Sequence, residues 1–235
     1  FLVKARKILN ELNAAEEELQ KSDQGTAGLI RIDSATPFVL HVIAPLMHKF
    51  REYYPNIEIE LNSNDQVIDL LQQKTDVAFR FGELNDSSLH AKLVCRSRLF
   101  IVASPEYLAI KGTPTQPEQL EQHDLIGFTR PAYINSWPIK VGDEYFFAQA
   151  NIKASSGETV RQLTIRGHGI ARLSEFEIWK DIQEGRLIAL FEDQIEHQYQ
   201  SIHAVYYQQE HLPKRIRLFI EFLAEQLKDG FKNAL

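Results

Sequence analysis

Between residues 2 and 19, Leu2, Ala5, Leu9, Leu12, Glu16 and Leu19 follow a 3-4-3-4-3 spacing, which keeps one seam along a helix in coiled-coil register. Lys4, Arg6, Lys7, Glu11, Glu17 and Glu18 flank it and leave too narrow an apolar stripe for a core helix. The pattern therefore predicts a helix that pairs with a second chain, the alternative being a surface helix on its own domain. A polar, glycine-containing linker over 22–28 ends it.

Beyond the linker the period alternates. Residues 29–33 read as a strand, Thr36 as an N-cap with Pro37 at the first helical position, and 38–53 as a helix stopped before Pro55. Residues 57–61 read as a second strand, Asp65 as the cap of a helix over 66–74, and 76–81 as a third strand. Such a βαβαβ unit makes a parallel sheet whose ligands bind beyond the carboxyl ends of its strands. The strand-rich stretch 89–104 is long enough to leave one sheet and enter another. Further strands are expected over 125–129, 187–191 and 202–207, with a hairpin over 137–154 turning at Gly142-Asp143. Helices are expected over 158–166, 175–183 and 213–228. The last shows Ile216, Phe219, Ile220, Leu223 and Leu227 on one face and is expected to pack back on the first sheet. The division that results is a linker/dimerisation helix over 1–24, a first lobe from 25–98 with 204–235, and a second lobe over 99–203. The fold class is α/β.

Composition narrows the function. The 235 residues suffice for two half-sized lobes sharing a cleft, and a net charge of −6 gives this region little attraction for a phosphate backbone. Cys95 is the only cysteine, so an internal disulfide and thiolate metal clusters are excluded, and a reducing, cytoplasmic setting is expected. No run is long and apolar enough to span a membrane, and no membrane partner is expected. There is no G-x-S-x-G elbow, Walker loop or zincin histidine pair, so no catalytic residue, metal or cofactor is assigned. Cys95 reads as a structural thiol and His123 and Trp137 as packing residues.

The run Gly28-Leu-Ile-Arg-Ile-Asp-Ser-Ala-Thr-Pro37 behind a seam helix resembles the effector domain of a LysR-type transcriptional regulator. Similar signatures follow in order: 46–55 (LMHKFREYYP), 57–65 (IEIELNSND), 67–70 (VIDL), 76–82 (DVAFRFG), 86–89 (DSSL), 102–108 (VASPEYL), Gly112-Thr-Pro114, His123-Asp-Leu125 and Gly169-Ile-Ala171. The resemblance implies two Rossmann-like lobes of the type II periplasmic-binding-protein architecture behind an N-terminal linker helix. It also implies a homodimer or homotetramer, a small-molecule effector in the interlobe cleft, and DNA contact only through a winged helix-turn-helix preceding Phe1. A solute-binding protein of a transporter shares the two lobes but not the paired helix.

Ser34, Ala35, Thr36 and Pro37 join a strand end to a helix start, whose free N–H groups favour an anion; capping alone also accounts for Ser34 and Thr36. Asn64 opens the second helix beside them. Phe81 and Gly82 close the third strand and either line the cleft or belong to the core. In the second lobe the resemblance puts Val102, Ser104, Phe128, Ser156, Gly157 and Gly169 at the cleft, although the glycines equally suit turns. Arg172 departs from the family pattern. Facing the cleft it would clamp a carboxylate or phosphate; facing outward it is a solvated charge. Together with Thr36 it suggests an anionic ligand.

Overall fold

The computed structural model describes residues 27–65, 70–71, 73–84, 89–195, 199–207 and 212–234, excepting the side chains of 233 and 234. The seam helix, most of the helix expected over 66–74 and residues 86–88 of the DSSL run lie outside the described residues.

β1 (Gly28–Ser34) alternates Ile30 and Ile32 into the core and pairs in parallel with β2 (Ile57–Ser63) and β3 (Val77–Phe81). The crossover between β1 and β2 is one helical run of α1 (Thr36–Phe38), a π turn (Val39–Ile43) and α2 (Ala44–Tyr53). The π turn ends just before Pro45, which has no N–H for the carbonyl four residues back; the widened turn relieves that mismatch. Thr36 is not the cap expected from sequence. Ala35 precedes the helix without a side-chain cap, and the Thr36 N–H and hydroxyl both donate to the Asp65 carboxylate at 3.1 Å. Asp65 thus binds α1 to the end of β2, an interaction that local sequence cannot show.

β4 (Leu89–Ala103) is the strand that both halves share. Its residues up to Arg98 pair antiparallel with β11 (Tyr199–Tyr207), which also pairs with β3 and completes the first sheet in the order β2-β1-β3-β11-β4. From Leu99 onward β4 pairs with β9 (Ile170–Ser174) and β10 (Ile188–Leu190). β5 (Leu125–Phe128) runs parallel to both β9 and β8 (Ile152–Ala154). The hairpin expected over 137–154 is shorter than that. β6 (Ser136–Val141) and β7 (Glu144–Phe147) turn at Gly142-Asp143 and form a separate two-stranded sheet, while β8 joins β5. Helix α3 (Pro105–Lys111), capped by the Ser104 hydroxyl, and strand β9 are additions to the sequence reading. β9 is only five residues long, and Arg172 at its centre hides its apolar alternation.

The second half has two cores, because β4 is buried on both faces there. Ile101 and Ala103 pack with Tyr107, Trp137 and Ile139; Phe100 and Val102 pack with Val160 of α4 (Gly157–Ile165) and Ile178 of α5 (Glu175–Gln183). In the first half, α6 (Lys214–Leu227) lays Ile216, Phe219, Ile220, Leu223 and Leu227 on the sheet, as its periodicity predicts. The Phe219 ring meets Phe50 at 5.1 Å and Phe79 at 6.3 Å between centroids. A short α7 (Phe231–Ala234) adds Phe231 to the same core. No helix of the described residues is long and apolar enough to cross a membrane. Phe219 is fully buried, so Phe219→Ala is expected to lower unfolding free energy by about 3–5 kcal/mol, read from urea melts followed by circular dichroism.

Candidate functional site

A cavity of about 150 Å³ opens between the two sheets, beyond the carboxyl ends of β1, β3, β5, β8 and β9. The first half contributes Ala35, Pro37, Asp65 and Phe81 to its wall, and the second contributes Phe128, Ser155, Gly157, Arg172 and, at the start of α5, Ser174, Phe176 and Glu177. The beginnings of α1, α4 and α5 converge here, each bringing N–H groups unpaired within its helix and a partial positive charge. Much of the surface is apolar. The Phe38, Phe81 and Phe176 rings form one cluster, with Phe38–Phe176 centroids 5.4 Å apart and Phe81–Phe176 stacked at 5.9 Å.

Of the residues picked from sequence, the cavity brings together Ala35, Pro37, Phe81, Phe128, Gly157 and Arg172. The others are not on its wall. Ser34 is fully buried, its hydroxyl without a hydrogen-bond partner among the described residues, and Thr36 is committed to Asp65. Asn64 donates to the buried Asp33 carboxylate, which burial pushes upward in pKa. The Gly82 N–H bonds to Ser201 O at a φ of 82°, and Ser156 precedes α4 without capping it. Val102 is core, and Ser104 is a helix cap. At Gly169 a side chain would meet Asp124 O at 2.4 Å, so this glycine permits a close backbone approach. The sequence reading missed Leu99, Arg130, Pro131, Ile134, Ser155, Leu173, Ser174, Phe176, Glu177 and Gln200. Only the Ser174-x-x-Glu177 capping box left a readable signal, and that signal concerns the helix start rather than a cleft.

Two polar groups in the wall are left unsatisfied. Arg172 sits on β9 opposite Ile101 of β4, and its Nε has no hydrogen-bond partner among the described residues. Burial lowers its pKa to about 10, against the opposing effect of Glu177. Glu177 is only 6% exposed. Its Oε1 accepts the Ser174 N–H at 2.9 Å, while Oε2 has no partner among the described residues. Burial raises this carboxyl to about 7 despite the Ser174 hydrogen bond and the Arg161 and Arg172 charges. A desolvated donor beside a protonatable acceptor, walled by aromatic rings, suits a small polar ligand.

A charge network stands next to the cavity and ties the halves together. His41 of the π turn meets Glu158 of α4 at 2.6 Å; Glu158 also takes Arg161 and Gln162, and Arg161 forks onto the buried Asp181 at 2.6 and 2.9 Å. Arg186 joins Asp181 from outside. Burial alone would raise Glu158, but the bonds from His41 and Gln162 and the Arg161 charge outweigh it and hold the carboxyl at about 2.

Other candidates carry less. A wider groove of about 540 Å³ lies at the amino end of β5, lined by Glu121 to Leu125, Phe146, Phe147, Gln149 and Asn151. Two of its titratable groups are already engaged, His123 with the Tyr107 hydroxyl and Asp124 with Lys111. Cys95 packs against the first core, and burial pushes its thiol to about 12, far from a reactive thiolate. No group of three or more metal-ligating side chains occurs among the described residues.

This architecture has relatives. The LysR substrate binding domain family matches residues 23–228. The chain belongs to the LysR-type transcriptional regulators. It is 43% identical over 229 residues to the HTH-type transcriptional regulator CrgA of Neisseria meningitidis serogroup C, covering 97% of this chain and 76% of that protein. PtxR, an HTH-type transcriptional regulator of Pseudomonas aeruginosa, is 31% identical over 98% of this chain and 74% of its own length. The CrgA regulatory domain superposes with a TM-score of 0.82 at 42% identity, covering 86% of this chain and all of that one. The full-length Vibrio cholerae virulence activator AphB does so at 0.72 and 28%, covering 93% of this chain and 75% of that one. The two-lobed α/β effector domain implied by the resemblance is therefore the fold of this LysR member, and its relatives are regulators of transcription rather than enzymes.

The Glu158 network gives a pH-dependent contribution whose sign follows from its depressed pKa. A carboxyl at about 2 in the folded chain and 4.5 ordinarily stabilises the fold fully above the ordinary value and loses that effect as pH falls through the folded one. Glu158→Gln is expected to cost about 2 kcal/mol near neutral pH. In parallel denaturant melts the gap to the unaltered protein should close as the pH is lowered towards about 2.

Proposed function

We propose that this LysR effector domain binds a small anionic metabolite in the interlobe cleft and passes that event to the transcription apparatus by changing the arrangement of its lobes or protomers. The observation that carries the reading is the Arg172 guanidinium, held in the cavity wall where three helix starts converge, its Nε without a hydrogen-bond partner among the described residues. Arginine gives up hydration at lower cost than an ammonium and presents a planar fork, so an incoming carboxylate supplies what the site lacks. Thr36, spent on Asp65, takes no part in this reading.

The effector acts through a difference in its affinity for two arrangements of the protein, and the His41–Glu158 contact across the cleft is one of the bonds that such a change must keep or break. Pairing through the seam at Leu2, Leu9, Leu12 and Leu19 couples cytoplasmic protomers as a homodimer or, through two such dimers, a homotetramer. DNA is read by a helix-turn-helix of the kind named in the relatives.

Two outcomes are expected. Arg172→Ala should weaken binding of an anionic probe such as benzoate by about 10–100-fold in calorimetry with the fold intact; unchanged affinity would remove Arg172 from the site. Deletion of residues 1–22 should lower the oligomeric state in light scattering, and an unaltered mass would refute the pairing role of the seam.

A further inference from the structure

Glu177 is the least expected group in this cleft, because it puts a carboxyl where the proposed ligand is negative. Its surroundings are specific. Glu177 lines the cavity; its Oε1 is fixed by the Ser174 N–H, and its Oε2 is buried without a partner among the described residues. A Cβ at Gly157 would stand 3.0 Å from Oε2 and 3.1 Å from Pro37, so any side chain at the first turn of α4 would crowd that oxygen. The charged groups around Glu177 come from every side. Glu158 and Arg161 face it from α4 and Arg172 from β9; His41 faces the network from the π turn through Glu158, and Asp65 and Arg130 stand elsewhere on the cavity wall.

We propose that the cleft takes up its anion together with one proton, which Glu177 carries and shares with the ligand as a hydrogen bond from Oε2. This rests on the reading of the cleft as an anion site. An ionised Glu177 would repel the ligand across a desolvated gap and offer it no donor, whereas the neutral carboxyl adds a donor beside Arg172. Glu158 is already held as an anion next door, and burial lifts Glu177 to about 7, so the neutral form is available at physiological pH. The proton comes from solvent and returns to it on release. The remaining wall selects the ligand's body. Pro37, Phe81, Phe128 and Phe176 surround about 150 Å³, a space of the size that takes a benzene ring, and this points to a monocarboxylate on a small aromatic or comparably compact apolar body.

The test is benzoate titration of the full chain by calorimetry at about pH 6 and about pH 8, in buffers of different ionisation heat, with the Glu177 carboxyl followed by carbon-13 NMR. Glu177→Gln is the decisive variant, because glutamine keeps the capping bond to Ser174 and carries a permanent donor. Affinity is expected to fall about tenfold between the two pH values, in step with the protonated fraction of a group at about 7, and net proton uptake to accompany binding. Glu177→Gln should bind benzoate at both pH values about as well as the unaltered protein does at the lower one, with no proton uptake from this position. Equal affinity at both pH values without proton uptake overturns the coupling and leaves the anion site standing. Affinity that rises with pH overturns the coupling, since benzoate then binds best when Glu177 is ionised, and leaves the anion site standing. Absence of benzoate binding at both pH values overturns both, whereas a carboxyl that titrates in the ordinary range overturns the coupling alone. Should Glu177→Gln fail to fold, the proton uptake and NMR titration of the unaltered protein decide the matter.

Discussion

Phe176 is fixed in a core that belongs to the other half of the molecule, and the geometry of the cleft depends on it. Its helix, α5, starts at the end of β9 in the second sheet, yet the ring stacks on Phe81 and meets Phe38 and Phe231 in the core beneath the first sheet. An aromatic ring buries a large apolar area and is worth more in edge and stacked contacts than its area alone gives, so this side chain adds to the shared strand and the His41–Glu158 contact in fixing the halves. The next residue along is Glu177. Fixing Phe176 therefore also fixes where a carboxyl enters the cavity, and the Ser174 cap sets which of its oxygens is spent on the backbone.

Around that anchor the electrostatics divide into satisfied and unsatisfied groups. Asp181 takes Arg161 and Arg186, Glu158 takes Arg161, Gln162 and His41, and Asp65 takes Thr36; these buried or half-buried groups are paired and hold helices in place. Arg172 and Glu177 are different because burial weakens both charges and each keeps a buried atom with no hydrogen-bond partner among the described residues. A stable fold ordinarily avoids such atoms, since each costs about 1–3 kcal/mol unless water or a ligand completes it. Two of the atoms in this state among the described residues, on Arg172 and Glu177, belong to the cavity wall where three helix starts, two sheets and aromatic rings meet.

Sharing β4 between the sheets explains how a small cavity can influence a whole chain. Leu89 to Arg98 belong to the first sheet and Leu99 to Ala103 to the second, so relative movement of the halves has to be absorbed within one strand, in the return between β10 and β11, and across the His41–Glu158 contact. An occupant that neutralises Arg172 and engages Glu177 acts on the second half, while Pro37 and Phe81 present the first half to the same occupant. Such a ligand interacts with both sides of the shared strand.

The sequence by itself determined the periodic part of this protein. The β1–β3 alternation, the buried stripe of α6 and the ordered signatures from Gly28 to Gly169 were enough for the α/β class and the LysR family, because periodicity and local order are properties of neighbouring residues. About a third of the cavity lining was legible, since Ala35, Pro37, Phe81, Phe128 and Gly157 stand at strand ends or helix starts and Arg172 is a charge within an apolar strand. The tertiary structure alone decided the rest. Thr36 looked like a cap until Asp65, 29 residues away, claimed both its donors, and Asn64 was drawn to Asp33. Val102, Ser104 and Gly169 proved to be core, cap and close backbone approach. Glu177 read as half of a capping box, which it is. Its second oxygen became a feature of the cleft only because Phe176 and Gly157 bring the starts of two helices together, a relation between residues distant in sequence that no local pattern encodes.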